Sequence, residues 1–127
     1  MGIRLGAVAT AGKSVDKNNT AKAVGSGDLN VFGTPMMIAL MEEAACNCLA
    51  VFLDEDQSSV GTRINVSHTA ASPMGAKITA TASIENVSGR RVEFRVAARD
   101  GNNPIGDGTH TRVIVDRDKF LARLAKS

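Results

Sequence analysis

The sequence predicts an α+β protein in which a curved, five-stranded antiparallel sheet wraps one long central helix, with a short helix at the C-terminal end. Three observations carry that expectation. An apolar run starts at Thr34-Pro35, and between Met36 and Leu53 only Glu42, Glu43 and Asn47 are polar. From Val60 onward the apolar period changes from helical to alternating. The alternating stretches are separated by short turn-forming clusters, Ser72-Pro73-Met74-Gly75, Ser88-Gly89-Arg90 and Asp100-Gly101-Asn102-Asn103-Pro104. Such links are too short for crossovers and imply antiparallel neighbours.

A helix that is apolar nearly all round is buried all round or lies in a membrane. Two carboxylates near its middle argue against a membrane span. Pro35 suits the first helical position, where its missing N–H would be unpaired anyway. Thr34 is then expected at the N-cap, its hydroxyl accepting from a free backbone N–H. Asp54-Glu55-Asp56 followed by Gln57-Ser58-Ser59 reads as an exposed exit loop.

The other elements follow in order. Ile3–Val15 is small and β-tolerant and reads as a first strand. Asp16–Gly27 is polar, with one helical turn at Thr20–Val24 and a flexible break at Gly25-Ser26-Gly27. This segment reads as an ordinary connection, with a lid as the alternative. Val60–Ala70 alternates, with Val60, Thr62, Ile64, Val66, His68 and Ala70 on the dry side. Lys77–Val87 turns Ile78, Ala80, Ala82 and Ile84 inward, and Arg91–Arg99 does the same with Val92, Phe94, Val96 and Ala98. Ile105–Val115 is the last strand, and Gly106 and Gly108 permit a bulge in it. His110 has the opposite parity from Ile105 and Val113, which points to the sheet surface or a dimer contact. Asp116 is placed to cap a final helix, Arg117–Lys126, striped by Phe120, Leu121 and Leu124. A sheet curled round one helix leaves that helix's sides to be covered, and a symmetric homodimer is the expected cover.

The whole chain, 1–127, reads as one domain with 43% hydrophobic and 22% charged residues, which excludes wholesale disorder. A net charge of +2 and an aromatic content of 3%, all Phe, give no reason to expect nucleic acid. Cys46 and Cys48 point in nearly opposite directions on a helix, ~200° apart, so they neither pair nor chelate together. Buried free thiols in a reducing compartment are expected. The N-terminal stretch lacks the apolar region of a signal peptide, which points to the cytoplasm. Two histidines and two mis-spaced cysteines match no zinc pattern, and there is no phosphate-cradling glycine loop. No metal, no cofactor and no membrane contact is expected.

Three polar residues stand where an apolar core is expected: Thr34 at the helix start, Glu42 two turns further in, and His68 on the dry side of the next strand. Singly, each has a structural explanation as a cap, an edge-reaching carboxylate or a hydrogen-bonded core histidine. Together, a hydroxyl, a carboxylate and an imidazole from two elements that must touch have the composition of a hydrolytic site. Asn47 and Asn65 are further polar candidates, with solvation the plainer role.

The segments TPMMIALMEEAA, SVGTRINVSHTAASPMG and IGDGTHTRVIVD resemble the hotdog-fold thioesterases of the fluoroacetyl-CoA thioesterase-like group, over about Ala21 to Leu121. The resemblance implies a hotdog fold, subunits paired through their sheets, and a site at the dimer interface that hydrolyses an acyl-CoA. By matching position, Thr34, Glu42 and His68 correspond to the catalytic residues, with Gly61 close to the thioester carbonyl. On that basis His68 is the general acid/base, Glu42 its polarising partner or the nucleophile, and Thr34 an orienting hydrogen-bonder. The Gly61 N–H is the expected oxyanion donor, and Phe32 and Met36, with Met37 and Met41, are expected to wall the acyl pocket. Members specialised for the fluorinated substrate carry aromatic residues before the threonine. Val24–Gly33 offers only Phe32, so a general short acyl-CoA is expected rather than fluoroacetyl selectivity. Two other functions fit the same scaffold: a dimer that binds an acyl-CoA without turning it over, and a dehydratase. Arg90, Arg91, Arg95 and Lys77 read as an exposed sheet face, with the CoA phosphates as an alternative partner.

Overall fold

The computed structural model describes residues 2–126. Its elements are β1 (Val8–Ser14), α1 (Ala21–Val24), α2 (Thr34–Ala50), β2 (Gln57–His68), β3 (Lys77–Ser88), β4 (Arg91–Asp100), β5 (Asn103–Asp116) and α3 (Arg117–Ala125). All five strands form one antiparallel sheet in the order β1-β3-β4-β5-β2. Helix α2 lies chiefly over β1 and β3.

The inward residues expected of β3 and β4 are buried: Ile78, Ala80, Ala82 and Ile84 on one, Val92, Phe94, Val96 and Ala98 on the other. Alanines in this set let the helix come close, and Ala44 and Ala45 of α2 reciprocate. The buried face of α2 is Met37, Leu40, Met41, Ala44, Ala45, Cys48 and Leu49, a stripe of helical period. The expected all-round burial is corrected here. Pro35, Ala39, Glu43, Cys46 and Ala50 are exposed, so one face of the helix is open in a single chain. Cys46 is therefore an exposed thiol, while Cys48 is buried and donates its S–H to the Ala7 carbonyl at 3.3 Å. Burial pushes the Cys48 thiol pKa up. Asn47 is exposed and ties α2 to β1, donating to the Thr10 carbonyl at 3.0 Å.

The segment before α2 is a closed connection. Thr20 caps α1 by accepting from the Ala23 N–H at 3.1 Å, and Gly25 ends it in the left-handed conformation that glycine adopts without strain. Backbone bonds Ala21 N–H to Val31 and Lys22 N–H to Leu29 fold the segment on itself. Asn19, 1% exposed, donates to the Ser14 carbonyl and accepts from the Asp16 N–H.

The register shifts at three places in the sheet, one of them between Ile84 and Asn86 of β3, and the other two decide which side chains near Glu42 face inward. In β2 the register shifts between Gly61 and Arg63, and in β5 Ala98 pairs with Gly106 while Arg99 pairs with Pro104. A one-residue slip moves every later side chain to the other face. In β5 it buries Ile105 together with His110, Arg112 and Ile114. His110 is 2% exposed, which corrects its expected place on the sheet surface. In β2 the bulge turns Ser59 and Gly61 inward before Thr62, and by alternation sets Val60 on the other face. Helix α3 follows Asp116 at the N-cap position, without a side-chain capping bond, and leaves Leu121 and Leu124 exposed.

Candidate active site

Thr34 and His68 meet. The Thr34 hydroxyl and His68 Nδ1 are 2.7 Å apart, at the start of α2 and the end of β2. Thr34 is the first helical residue, and Gly33 rather than Thr34 occupies the N-cap, with no side-chain capping bond. Its hydroxyl is thus free for the imidazole instead of the helix end. The other ring nitrogen of His68, Nε2, is shielded from solvent and has no hydrogen-bond partner among the described residues. Burial holds the His68 pKa below its ordinary 6.5, offset in part by the Ala70 backbone. The pair opens onto a cavity of about 260 Å³ lined by Val31, Phe32, Ala70 and Ala71 among others. Phe32 is 2% exposed and its N–H is held by the Ser72 carbonyl at 2.9 Å. Met36 is half-buried and packs against the core rather than lining that cavity.

Glu42 is elsewhere. It lies eight residues beyond Thr34 on α2, about 12 Å along the helix axis at ~1.5 Å per residue. Within one chain its partners are Arg112 and His110, which corrects its expected pairing with His68. Arg112 Nη1 donates to Glu42 Oε2 at 3.2 Å, and His110 Nε2 is 3.8 Å from the same oxygen. Gly61 closes over this carboxylate: a Cβ there would stand 2.6 Å from Glu42 Oε2 and 3.1 Å from His110 Cε1. A larger residue at position 61 would therefore displace the end of the Glu42 side chain. The β2 bulge beside it is the kind of irregularity that re-aims backbone groups at functional sites.

Gly61 lies within β2 and His68 at its end, roughly 20 Å apart at ~3.3 Å per residue. One chain thus carries two separate clusters, Thr34 with His68 and Glu42 with Gly61, and no single carbonyl reaches both. His110 and Arg112 belong to the second cluster and were not among the expected site residues. A hint was available in the sequence: two strongly polar residues two apart share a face, and a bulge upstream was foreseeable from Gly106 and Gly108. Arg90, Arg91 and Arg95 are exposed and face Asp116, Glu93 and Glu85 at 3.4, 3.7 and 3.3 Å, as an exposed sheet surface would. No group of three or more metal-ligating side chains is present among the described residues.

The family model for the fluoroacetyl-CoA-specific thioesterase, FlK, matches residues 15–118. The chain belongs to this thioesterase family. Among its relatives is the fluoroacetyl-CoA thioesterase of Streptantibioticus cattleyicolor, 45% identical over 94 residues that make up 74% of this chain and 68% of that protein. A solved structure of fluoroacetyl-CoA thioesterase FlK superposes on 100% of this chain and 98% of its own, with a TM-score of 0.92 at 36% identity. A hot-dog-like protein from Thermanaerovibrio acidaminovorans covers 98% of this chain and 92% of its own, with a TM-score of 0.88 at 27% identity. The architecture is the hotdog fold, α2 being the wrapped helix, and this member of the family is a thioester hydrolase.

Proposed function

We propose that this thioesterase hydrolyses a short acyl-CoA to the free acid and CoA, at a site that two copies of the chain complete together. The observation that carries the reading is the split described above: Thr34–His68 at one end of β2 and Glu42–Gly61 towards the other. Strand β2 is a sheet edge, with Gly61 to Asn65 exposed along it. An edge with free N–H and C=O groups is a template for another strand. Antiparallel self-pairing of β2 centred on Ile64 sets Gly61 of one copy opposite Ser67 of the other, next to His68. It also brings the open face of α2 towards the partner. A homodimer accounts for both uncovered surfaces.

In the assembled site His68 Nε2 acts as general base and then general acid. The attacking oxygen adds to the thioester carbon, the carbonyl oxygen becomes an oxyanion facing the Gly61 N–H, and the C–S bond breaks as His68 returns its proton to the CoA thiolate. Thr34 holds the ring. Glu42 either orients the attacking water or attacks first itself, giving a mixed anhydride that water opens; hydroxylamine trapping separates the two routes. Phe32 flanks the acyl group. Because Val24–Gly33 carries a single aromatic residue, the substrate class is a general short acyl group rather than fluoroacetyl alone. No described helix is long and apolar enough to cross a membrane, and a reducing, cytoplasmic setting suits the free thiols.

Mixing tests the shared site. His68→Ala and Glu42→Ala, each inactive alone, are unfolded and refolded together at equal concentration. Mixed dimers then carry one intact site, and activity returns to about a quarter of wild type, as expected for random pairing in a two-fold dimer. No recovery, with mixed dimers demonstrably formed, overturns the two-copy site.

A further inference from the structure

We propose that the groove between β5 and α3 seats the phosphate-bearing end of the CoA moiety, with Arg90, Lys119 and Arg123 as its cations. This rests on the acyl-CoA reading above and adds the part of the substrate that neither cluster touches. The groove encloses about 280 Å³, and Val113, Val115 and Phe120 line it together with the three cations and one carboxylate, Asp116. Three cations against one carboxylate leave a surplus of two positive charges. Hollows elsewhere on the surface have no such surplus. In one, Arg63 and Arg91 are matched by Glu85 and Glu93; in another, Arg99 is matched by Asp107; the one at Asp54–Asp56 is acidic. A CoA ester carries a diphosphate and a 3′-phosphate at its nucleotide end, and a local surplus of positive charge attracts an anion of that density.

The cations are placed for a ligand more than for the fold. Lys119 and Arg123 are four residues apart on α3, so they share one face of the helix, and both are exposed. Like charges at that spacing are mildly destabilising. Arg123 is in the last turn, where the helix dipole favours a cation, but Lys119 is the third helical residue, near the end where a cation is disfavoured. A phosphate beside Lys119 offsets both effects. Arg90 is already held in place, Nη1 donating to the Ile114 carbonyl at 3.3 Å and Nη2 to Asp116 Oδ2 at 3.4 Å. Val113, Val115 and Phe120 are half-buried and give an apolar wall for the adenine.

The groove is also near the reacting carbonyl. Arg112 pairs with Gly61 and Val113 with Val60, so the groove begins one residue beyond the pair that holds the expected oxyanion donor. From Arg112 to Val115 is about 10 Å at ~3.3 Å per residue. Ile114, on the inner face, lines the groove as well as Val113 and Val115 of the outer one. That puts it at the strand ends, where the sheet gives way to α3. The extended pantetheine arm, which holds the thioester and the diphosphate apart, bridges the gap.

The test compares a short acyl-CoA with the same acyl group on pantetheine, which lacks the nucleotide end. Wild type is expected to prefer the acyl-CoA in kcat/KM, by a margin that shrinks as salt is raised, because exposed charges are screened. In Lys119→Glu/Arg123→Glu the preference falls about tenfold as charge-assisted contacts are lost. The fall comes through KM, since an interaction made equally in the ground and transition states does not move kcat. Lys119→Gln/Arg123→Gln shifts the preference less in the same direction and carries the test if the double reversal does not fold. Arg99→Glu, in a different hollow, leaves the preference where it was. Titration calorimetry with adenosine 3′,5′-bisphosphate reads the groove without turnover: wild type binds it and Lys119→Glu/Arg123→Glu does not. Equal kcat/KM for the two thioesters in wild type, or an unchanged preference in the double reversal, overturns the groove assignment alone. A shift with Arg99→Glu and none with the double reversal overturns it too. No turnover of either thioester removes the acyl-CoA hydrolysis reading, and nucleotide binding that survives the double reversal then removes the groove as well.

Discussion

At the residue scale the structure turns on how closely Gly61 approaches one oxygen of the Glu42 carboxylate. Gly61→Ala places a methyl group 2.6 Å from Oε2, and Arg112 and His110 flank the same oxygen. The carboxylate has to move. Activity is expected to fall about a hundredfold while the melting temperature changes little, since Gly61 is exposed and has no left-handed backbone to strain; paired kinetics and calorimetry check this. His68 gives a pH prediction. Its folded pKa lies below 6.5 because burial disfavours the imidazolium, so the neutral base persists to more acid pH than a free imidazole. The rate should stay level down to pH 6.5 and fall beyond it. Stability has the same sign. His110 is lowered as well, so just below pH 6.5 the unfolded chain binds more protons than the folded one, and stability declines as pH drops through that window. Melting curves between pH 7.5 and 5 check the second part, and a kcat/KM profile the first.

At the element scale much of the chain was legible, and for stated reasons. The apolar run from Thr34 named the central helix, the change of period at Val60 named the sheet, and the Ala80, Ala82, Ala98 pattern fixed the inner face. What misled was parity. Alternation gives the face of each residue only while the register holds, and the two bulges are invisible to it. His110 therefore read as surface, and Arg112 went unnoticed beside it. The capping role expected of Thr34 fails because Gly33 occupies the N-cap and Thr34 is the first helical residue, its hydroxyl 2.7 Å from His68 Nδ1. The tight pairing of β5 with β2 also yields a prediction. A Cβ on Gly108 would collide with the Asn65 carbonyl and crowd Val66 Cα at 2.7 Å. Both are backbone atoms that cannot turn aside. Gly108→Ala should destabilise the fold by about 2–3 kcal/mol, and it should also reduce activity, because β2 carries both Gly61 and His68; denaturant titration alongside the assay measures each.

At the scale of the whole molecule the single chain has an open sheet edge and an open helix face, and its reactive groups are divided between two places. The proposed symmetric dimer would cover those surfaces; the division of the site comes from spacing along β2, which at ~3.3 Å per residue keeps Gly61 and His68 of one chain from sharing a carbonyl. Ile64, 37% exposed at the proposed centre of pairing, tests the assembly. Ile64→Lys puts like charges opposite each other across the two-fold axis, which opposes edge pairing. The variant should sediment as a monomer, keep its fold and lose turnover; a dimer with a normal rate would relocate the interface.

The central claim is that this hotdog protein hydrolyses acyl-CoA with Glu42 and His68. Its most direct test is thiol release from a panel of short acyl-CoA esters by the wild-type protein, His68→Ala and Glu42→Ala. The prediction is turnover by wild type on at least one short ester, reduced by roughly 10²–10⁴-fold in each variant with the melting temperature retained. Binding of the same esters with no thiol released from any of them would contradict it.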